Sequence, residues 1–120
     1  MIGRVDAMPR VARQTPAGYV YHVINRGVGR MKLFSRDADY AAFERIIAGT
    51  QQRIPLRLIG YCLMPNHWHL VVWPGEDDQL ARFMQRLTVT HVRRRQEHRH
   101  RVGEGHVYQG AYLLNRDAIH

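Results

Sequence analysis

The spacing of apolar positions changes several times along this chain, and each change marks an element. Tyr19-Val20-Tyr21-His22-Val23-Ile24 is aromatic and β-branched, which predicts a strand. Asn25, Arg26, Gly27 and Gly29 then end it as a loop. From Asp37 the period lengthens: Tyr40, Phe43, Ile46 and Ile47 share one helical face, with Ser35 or Asp37 available as N-cap. That helix should stop near Arg53, because Pro55 disfavours helix at the residue before it. Residues 56–63 read as a second strand, Met64-Pro65-Asn66 as a tight turn, and residues 67–73 as a third strand. Asp77 and Asp78 sit where acids favour a helix start. Leu80, Phe83, Met84, Leu87 and His91 then recur at helical spacing, carrying a second helix into the high nineties. Gly103 and Gly105 break it, and residues 106–114 supply a fourth strand.

The order β-α-β-β-α-β is the split β-α-β or ferredoxin-like arrangement, an α+β fold built on an antiparallel sheet. Two helices cover one face of such a sheet and leave the other open. Residues 1–17, with Arg4, Arg10, Arg13 and two prolines, read as a basic and poorly ordered N-terminal arm. Residues 18–120 then form the domain.

Composition narrows the class. A chain of 120 residues forms one domain, and 45% apolar residues are too many for a disordered tail. No apolar run approaches the ~20 residues of a membrane helix. Cys62 is the single cysteine, so no internal disulfide forms, and the N-terminus lacks the apolar stretch of a signal peptide. A cytoplasmic location, away from membranes, is the expectation. The charge changes the picture further. Eighteen basic residues stand against ten acidic ones, a net +8, and every basic residue but Lys32 is arginine. Arginine pairs with phosphate in two-point fashion and stacks on flat rings, so a polyanionic partner is a candidate. An arginine-rich composition inherited from a GC-rich genome would look the same.

His67-Trp68-His69-Leu70-Val71-Val72-Trp73 carries the most chemistry. Alternate side chains of a strand share a face, so His67 and His69 project together while Trp68, Leu70 and Val72 suit the covered core. Two imidazoles at this spacing can chelate one metal ion, although a pair alone is an incomplete site. An isolated pair of this kind is more often solvated on an open sheet face.

Leu63-Met64-Pro65-Asn66-His67-Trp68-His69-Leu70-Val71-Val72 closely resembles the signature of the single-tyrosine HUH transposases, in which two histidines flank one bulky apolar residue. Three further blocks are similar to the branch that includes the REP-associated tyrosine transposases. Tyr21-His22-Val23-Ile24-Asn25-Arg26-Gly27 resembles its opening strand and loop, and residues 34–40 its lead into the first helix. Gly105-His106-Val107-Tyr108-Gln109-Gly110 resembles the segment after its second helix. The resemblance spans roughly residues 8–114.

This resemblance implies recognition of single-stranded or hairpin DNA and its cleavage by transesterification. A divalent ion, Mg2+ or Mn2+, would sit on His67 and His69 and polarise the scissile phosphate. A tyrosine would attack, leaving a 5′-phosphotyrosyl enzyme and a free 3′-hydroxyl, so that strands can be rejoined without ATP. Monomers and homodimers are both implied as oligomeric states. The family places its nucleophile on a further helix, which the resemblance puts beyond His120, so the chain is expected to be truncated. Tyr108 and Tyr112 are the only tyrosines after the histidine pair, and both read as structural or DNA-contacting rather than as nucleophiles.

Residues 82–101 hold seven arginines and one glutamate, which favours phosphate contact over a merely solvated helix end. Arg86, Arg93, Arg94, Arg95, Arg99 and Arg101 are therefore DNA-binding candidates, with Arg26 and Arg30 in the loop after the first strand. His91, His98, His100 and His106 match no zinc spacing and read as solvated. His22 reads as packed near the site, and Cys62 as a small buried hydrophobe. Two further readings stand beside the transposase. One is a non-catalytic nucleic-acid-binding module, or inactive remnant, of the same fold; the other is a small metal-binding protein whose charge is incidental.

Overall fold

Alternation along two central strands decides which residues face the core and which face outward. The computed structural model describes residues 4–6, 15–99 and 106–118. Its elements are β1 (Arg4–Asp6), β2 (Tyr19–Arg26), α1 (Asp37–Arg53), β3 (Arg57–Met64), β4 (His67–Trp73), α2 (Gln79–Arg99) and β5 (Leu113–Ala118). All pairings are antiparallel, in the order β1-β5-β2-β4-β3. Strands β5-β2-β4-β3 with α1 and α2 are the expected α+β arrangement, and β1 extends its edge.

Trp68, Leu70 and Val72 of β4 are fully buried, and so are Tyr21 and Val23 of β2. They meet Phe43, Ile46 and Ile47 of α1 and Leu80, Phe83, Met84 and Leu87 of α2 in one core. Each such large side chain contributes about 1.5–3 kcal/mol on burial. With one parity of β4 so occupied, His67, His69, Val71 and Trp73 take the other face, which neither α1 nor α2 covers. Among the described residues no helix is long and apolar enough to cross a membrane.

Four expectations are corrected. Residues 4–6 are a strand, with Arg4 opposite Arg116 and Asp6 opposite Leu114. The end of the supposed arm is also fastened: Ala17 N–H donates to Asp77 Oδ1 at 3.0 Å and the Tyr21 hydroxyl to Pro16 O at 2.6 Å. The last strand begins at Leu113, not at residue 106. Before it, Val107 is buried as a plug and Tyr108 makes a single bridge to Gly27, so these apolar residues fill the core without joining a ladder. Helix α1 is capped neither by Ser35 nor by Asp37. Arg36 is the extended N-cap, and the Asp39 carboxylate reaches back to accept from Ser35 N–H at 2.8 Å and Arg36 N–H at 3.0 Å. Cys62 is exposed, because β3 is the edge strand and Cys62 lies on its open face.

Candidate active site and nucleic-acid interface

The β3–β4 hairpin sets the first strand position at His67, and its turn is held from outside. Pro65 O accepts from Leu33 N–H at 2.7 Å and Phe34 N–H at 3.1 Å, while Asn66 O accepts from Gly27 N–H at 2.9 Å. The loop after β2 is thus tied to the turn that carries the histidines.

The His67 and His69 rings stand side by side with centroids 5.0 Å apart, both half-buried. On one side, β2 sets Ile24 opposite His69 and Arg26 opposite His67. On the other, β3 sets Cys62 opposite His69 and Met64 opposite His67. His22, one pair further along the same face, meets the His69 ring edge to edge with centroids 5.0 Å apart, and its Nε2 shares a 2.9 Å hydrogen bond with His69 Nδ1. His67 Nδ1 lies 2.8 Å from Asn66 Oδ1. Partial burial, then the charges that His22, His67 and Arg26 would bring, hold the His69 pKa below its usual 6.5. Neutral imidazole, the form that ligates metal, is therefore favoured.

The donor set fits a divalent ion as far as two neighbouring imidazoles can. Among the described residues no group of three His, Cys, Asp or Glu is placed to hold a metal. A cation on His67 and His69 would thus keep positions for water or a phosphate oxygen, as a catalytic rather than a structural site does.

Neither downstream tyrosine faces this pair. Tyr108 lies behind β4, where its hydroxyl accepts from Trp68 Nε1–H at 3.0 Å and shares a short hydrogen bond with His91 Nδ1. Burial drives its pKa far above the usual 10. These contacts remove Tyr108 from the nucleophile candidates and make it a core strut. Tyr112 lines a groove on the helical side with Val89, Val92 and Arg93. His91, expected in solvent, is buried beneath Phe34 and Phe43. His106 is exposed, whereas the His98 side chain and His100 lie outside the described residues.

The arginines divide between the two layers. Arg26 and Arg30 are both exposed, Arg26 opposite His67 at the end of β2 and Arg30 in the loop that follows. Arg86 and Arg94 of α2 line a groove of about 360 Å3 together with Arg45 and Arg53 of α1. Each helix places its two arginines eight residues apart, ~12 Å along the axis, with Gly49 on α1 and Thr90 on α2 between them. Among the described residues no carboxylate pairs with these four. Arg93 lines the Tyr112 groove. Arg95 is a correction: at 7% exposure it packs beside His91 and is not a surface contact. The Arg99 side chain and Arg101 lie outside the described residues. Reading the sequence missed Arg45, Arg53 and Asn66 as site residues and underrated His22. The eight-residue arginine spacing repeated on both helices was the available signal for the first two.

Comparison with known proteins bears on the family and the fold. The family model described as "Transposase IS200 like" matches residues 17–116. No curated protein is a significant match to the chain. The structure is similar to that of a REP-associated tyrosine transposase bound to a REP hairpin, with a TM-score of 0.56 and 18% identity over 90% of this chain and 59% of that one. It is also similar to an inferred transposase from Deinococcus radiodurans, with a TM-score of 0.65 and 19% identity over 79% of this chain and 75% of that one. At these identities the solved structures establish the fold. The chain spans about three-fifths of the first of them.

Proposed function

The chain belongs to the IS200-like transposase family, and from that premise we propose that it binds single-stranded DNA folded as a hairpin and presents the scissile phosphodiester to His67 and His69. The observation that carries this reading is the pair of imidazoles on the uncovered sheet face, beside Arg26. Low charge on His69 keeps its lone pair available, and Arg26 draws a phosphate toward the pair. A divalent cation held there, Mg2+ or Mn2+, supplies Lewis acidity to a phosphoryl oxygen when bound. The chain's own residues orient the strand. The arginines of the α1–α2 groove neutralise backbone phosphates, which gives affinity and salt dependence without sequence choice. In the transesterification of this class, a tyrosine oxygen bonds to phosphorus as the P–O3′ bond breaks, leaving a 5′-phosphotyrosine and a 3′-hydroxyl. Tyr108 and Tyr112 face the helical layer, so the attacking hydroxyl comes from a group other than these two.

The test uses a labelled hairpin with a single-stranded tail, with and without Mn2+, on native gels and denaturing protein gels. Salt-sensitive binding that Mn2+ strengthens, with the Mn2+ effect lost in His67→Ala, is the expected result. Equal affinity for hairpin, duplex and heparin, with no Mn2+ effect, would overturn it. A covalent adduct that survives Tyr108→Phe and Tyr112→Phe together would locate the nucleophile elsewhere.

A further inference from the structure

Both histidines of the pair have Nδ1 already engaged by the protein. Asn66 Oδ1 is an amide oxygen that only accepts, so at 2.8 Å the His67 ring donates from Nδ1 and keeps its lone pair on Nε2. For His69 the partner is another imidazole, His22 Nε2 at 2.9 Å, and either ring can donate. We propose that His22 is a positioning residue that accepts from His69 Nδ1–H, so that His69, like His67, presents an Nε2 lone pair on the open face.

Three features of the fold bring the two rings together in this way. The two rings meet edge to edge, with 5.0 Å between centroids and 30° between planes, the near-coplanar arrangement in which an Nδ1–H on one points along the Nε2 lone pair of the other at 2.9 Å. The β2–β4 register sets Ile24 opposite His69 and His22 opposite Val71, so His22 reaches His69 as a diagonal cross-strand neighbour fixed by the ladder. His69 then matches His67, whose tautomer the acceptor on Asn66 already dictates. A neutral imidazole in water prefers its proton on Nε2, which would block the nitrogen farthest from the backbone on both residues. Acceptors at Nδ1 reverse that preference on His67 and His69 and leave two equivalent donor atoms, with the requirement that His22, to accept at Nε2, carries its own proton on Nδ1. This is the outer-shell arrangement that orients metal-binding histidines and raises their basicity. The tautomer is a property of the metal-free chain; only its consequence for metal affinity rests on the proposed function.

The experiment is a long-range 1H–15N correlation spectrum of the imidazoles in 15N-labelled, metal-free protein at pH 8, followed by Mn2+ titration. In the wild-type protein, His69 should show a protonated Nδ1 and a bare Nε2, as should His67. His22→Phe keeps an aromatic ring at this place but removes the acceptor, so His69 should revert to the Nε2–H form while His67 stays unchanged. Mn2+ affinity should then fall roughly 10–100-fold. His22→Gln, whose amide oxygen can accept, should restore most of it. An Nε2–H tautomer at His69 in the wild-type protein overturns the proposal without any variant. So does a His22→Phe spectrum identical to wild type at His69. A His22→Gln loss as large as that of His22→Phe would make His22 a direct ligand, which also overturns it. The expected tautomers with no Mn2+ binding at all would support the positioning role and refute the metal-binding reading instead.

Discussion

Acid should destabilise this protein through one buried histidine, and the size of the effect follows from where His91 sits. The residue is 6% exposed, stacked on Phe34 and edge-on to Phe43. Its Nδ1 shares a hydrogen bond with the Tyr108 hydroxyl, which accepts from Trp68 Nε1–H. Burial, reinforced by Arg95 and Arg94 on α2 and opposed by Asp39 on α1, pushes its pKa from 6.5 down to about 4. The unfolded chain, with an ordinary histidine pKa, takes up a proton that the fold refuses. Stability is therefore intact above pH 6.5 and lost progressively as pH falls toward 4. Integrating that difference gives a loss of about 2 kcal/mol between pH 7 and pH 5, and about 3 by pH 4. Urea unfolding of wild type and His91→Gln at pH 7 and pH 5 measures it, because other titrating groups contribute alike to both proteins. At about 1–2 kcal/mol per molar urea, the wild-type midpoint should drop by roughly 1–2 M more than that of the variant. Equal drops in the two proteins, or a His91 ring that titrates near pH 6.5 by NMR, would refute the reasoning.

Three other perturbations probe separate parts of the molecule. Replacing Arg45 and Arg53 together with alanine should weaken binding of a hairpin stem and flatten the plot of log affinity against log salt by about 0.9 for each phosphate that is no longer neutralised. An unchanged slope in that titration would place the stem off the helical groove. Tyr108→Phe strips two buried groups, Trp68 Nε1–H and His91 Nδ1, of their partner and should cost about 2–4 kcal/mol in urea unfolding. A loss under about 1 kcal/mol would mean that the hydroxyl is not the link between them. In Gly27→Ala the new Cβ would lie 2.6 Å from Met31 O, in the loop that donates to Asn66 O, so about 1–3 kcal/mol of stability should go, read as a lower thermal midpoint.

Local pattern made much of this architecture legible. The alternation of His67 and His69 with Trp68, Leu70 and Val72 placed β4 and both its faces, because one covered face forces that parity on a strand. Both helices could be read because their apolar stripes and stop signals agree. The end of the chain could not be read so. Val107 and Tyr108 have strand-like character, yet they are used as a plug and a strut, and propensity does not separate a ladder from a plug. Strand β1 has three residues and no apolar stripe, so only its partner β5 defines it.

The candidate site divides along the same physical line. Whatever depends on one element was visible: two histidines on one strand face, or a run of arginines on one helix. Whatever depends on how two elements register was not. His22 touches His69 only because β2 pairs with β4 in a particular register, since a slip of one residue would turn its ring to the core. Arg45 and Arg53 meet Arg86 and Arg94 only because α1 and α2 pack side by side. Arg95 failed for the complementary reason. It sits four residues after His91, so the stripe that buries His91 buries Arg95 as well, and within a run of like charges one member belonged to the core. Charge counting along a helix must therefore be filtered by helical phase before any arginine is assigned to DNA. By that filter Arg86, Arg93 and Arg94 stay on the surface and Arg95 becomes part of what holds His91 neutral.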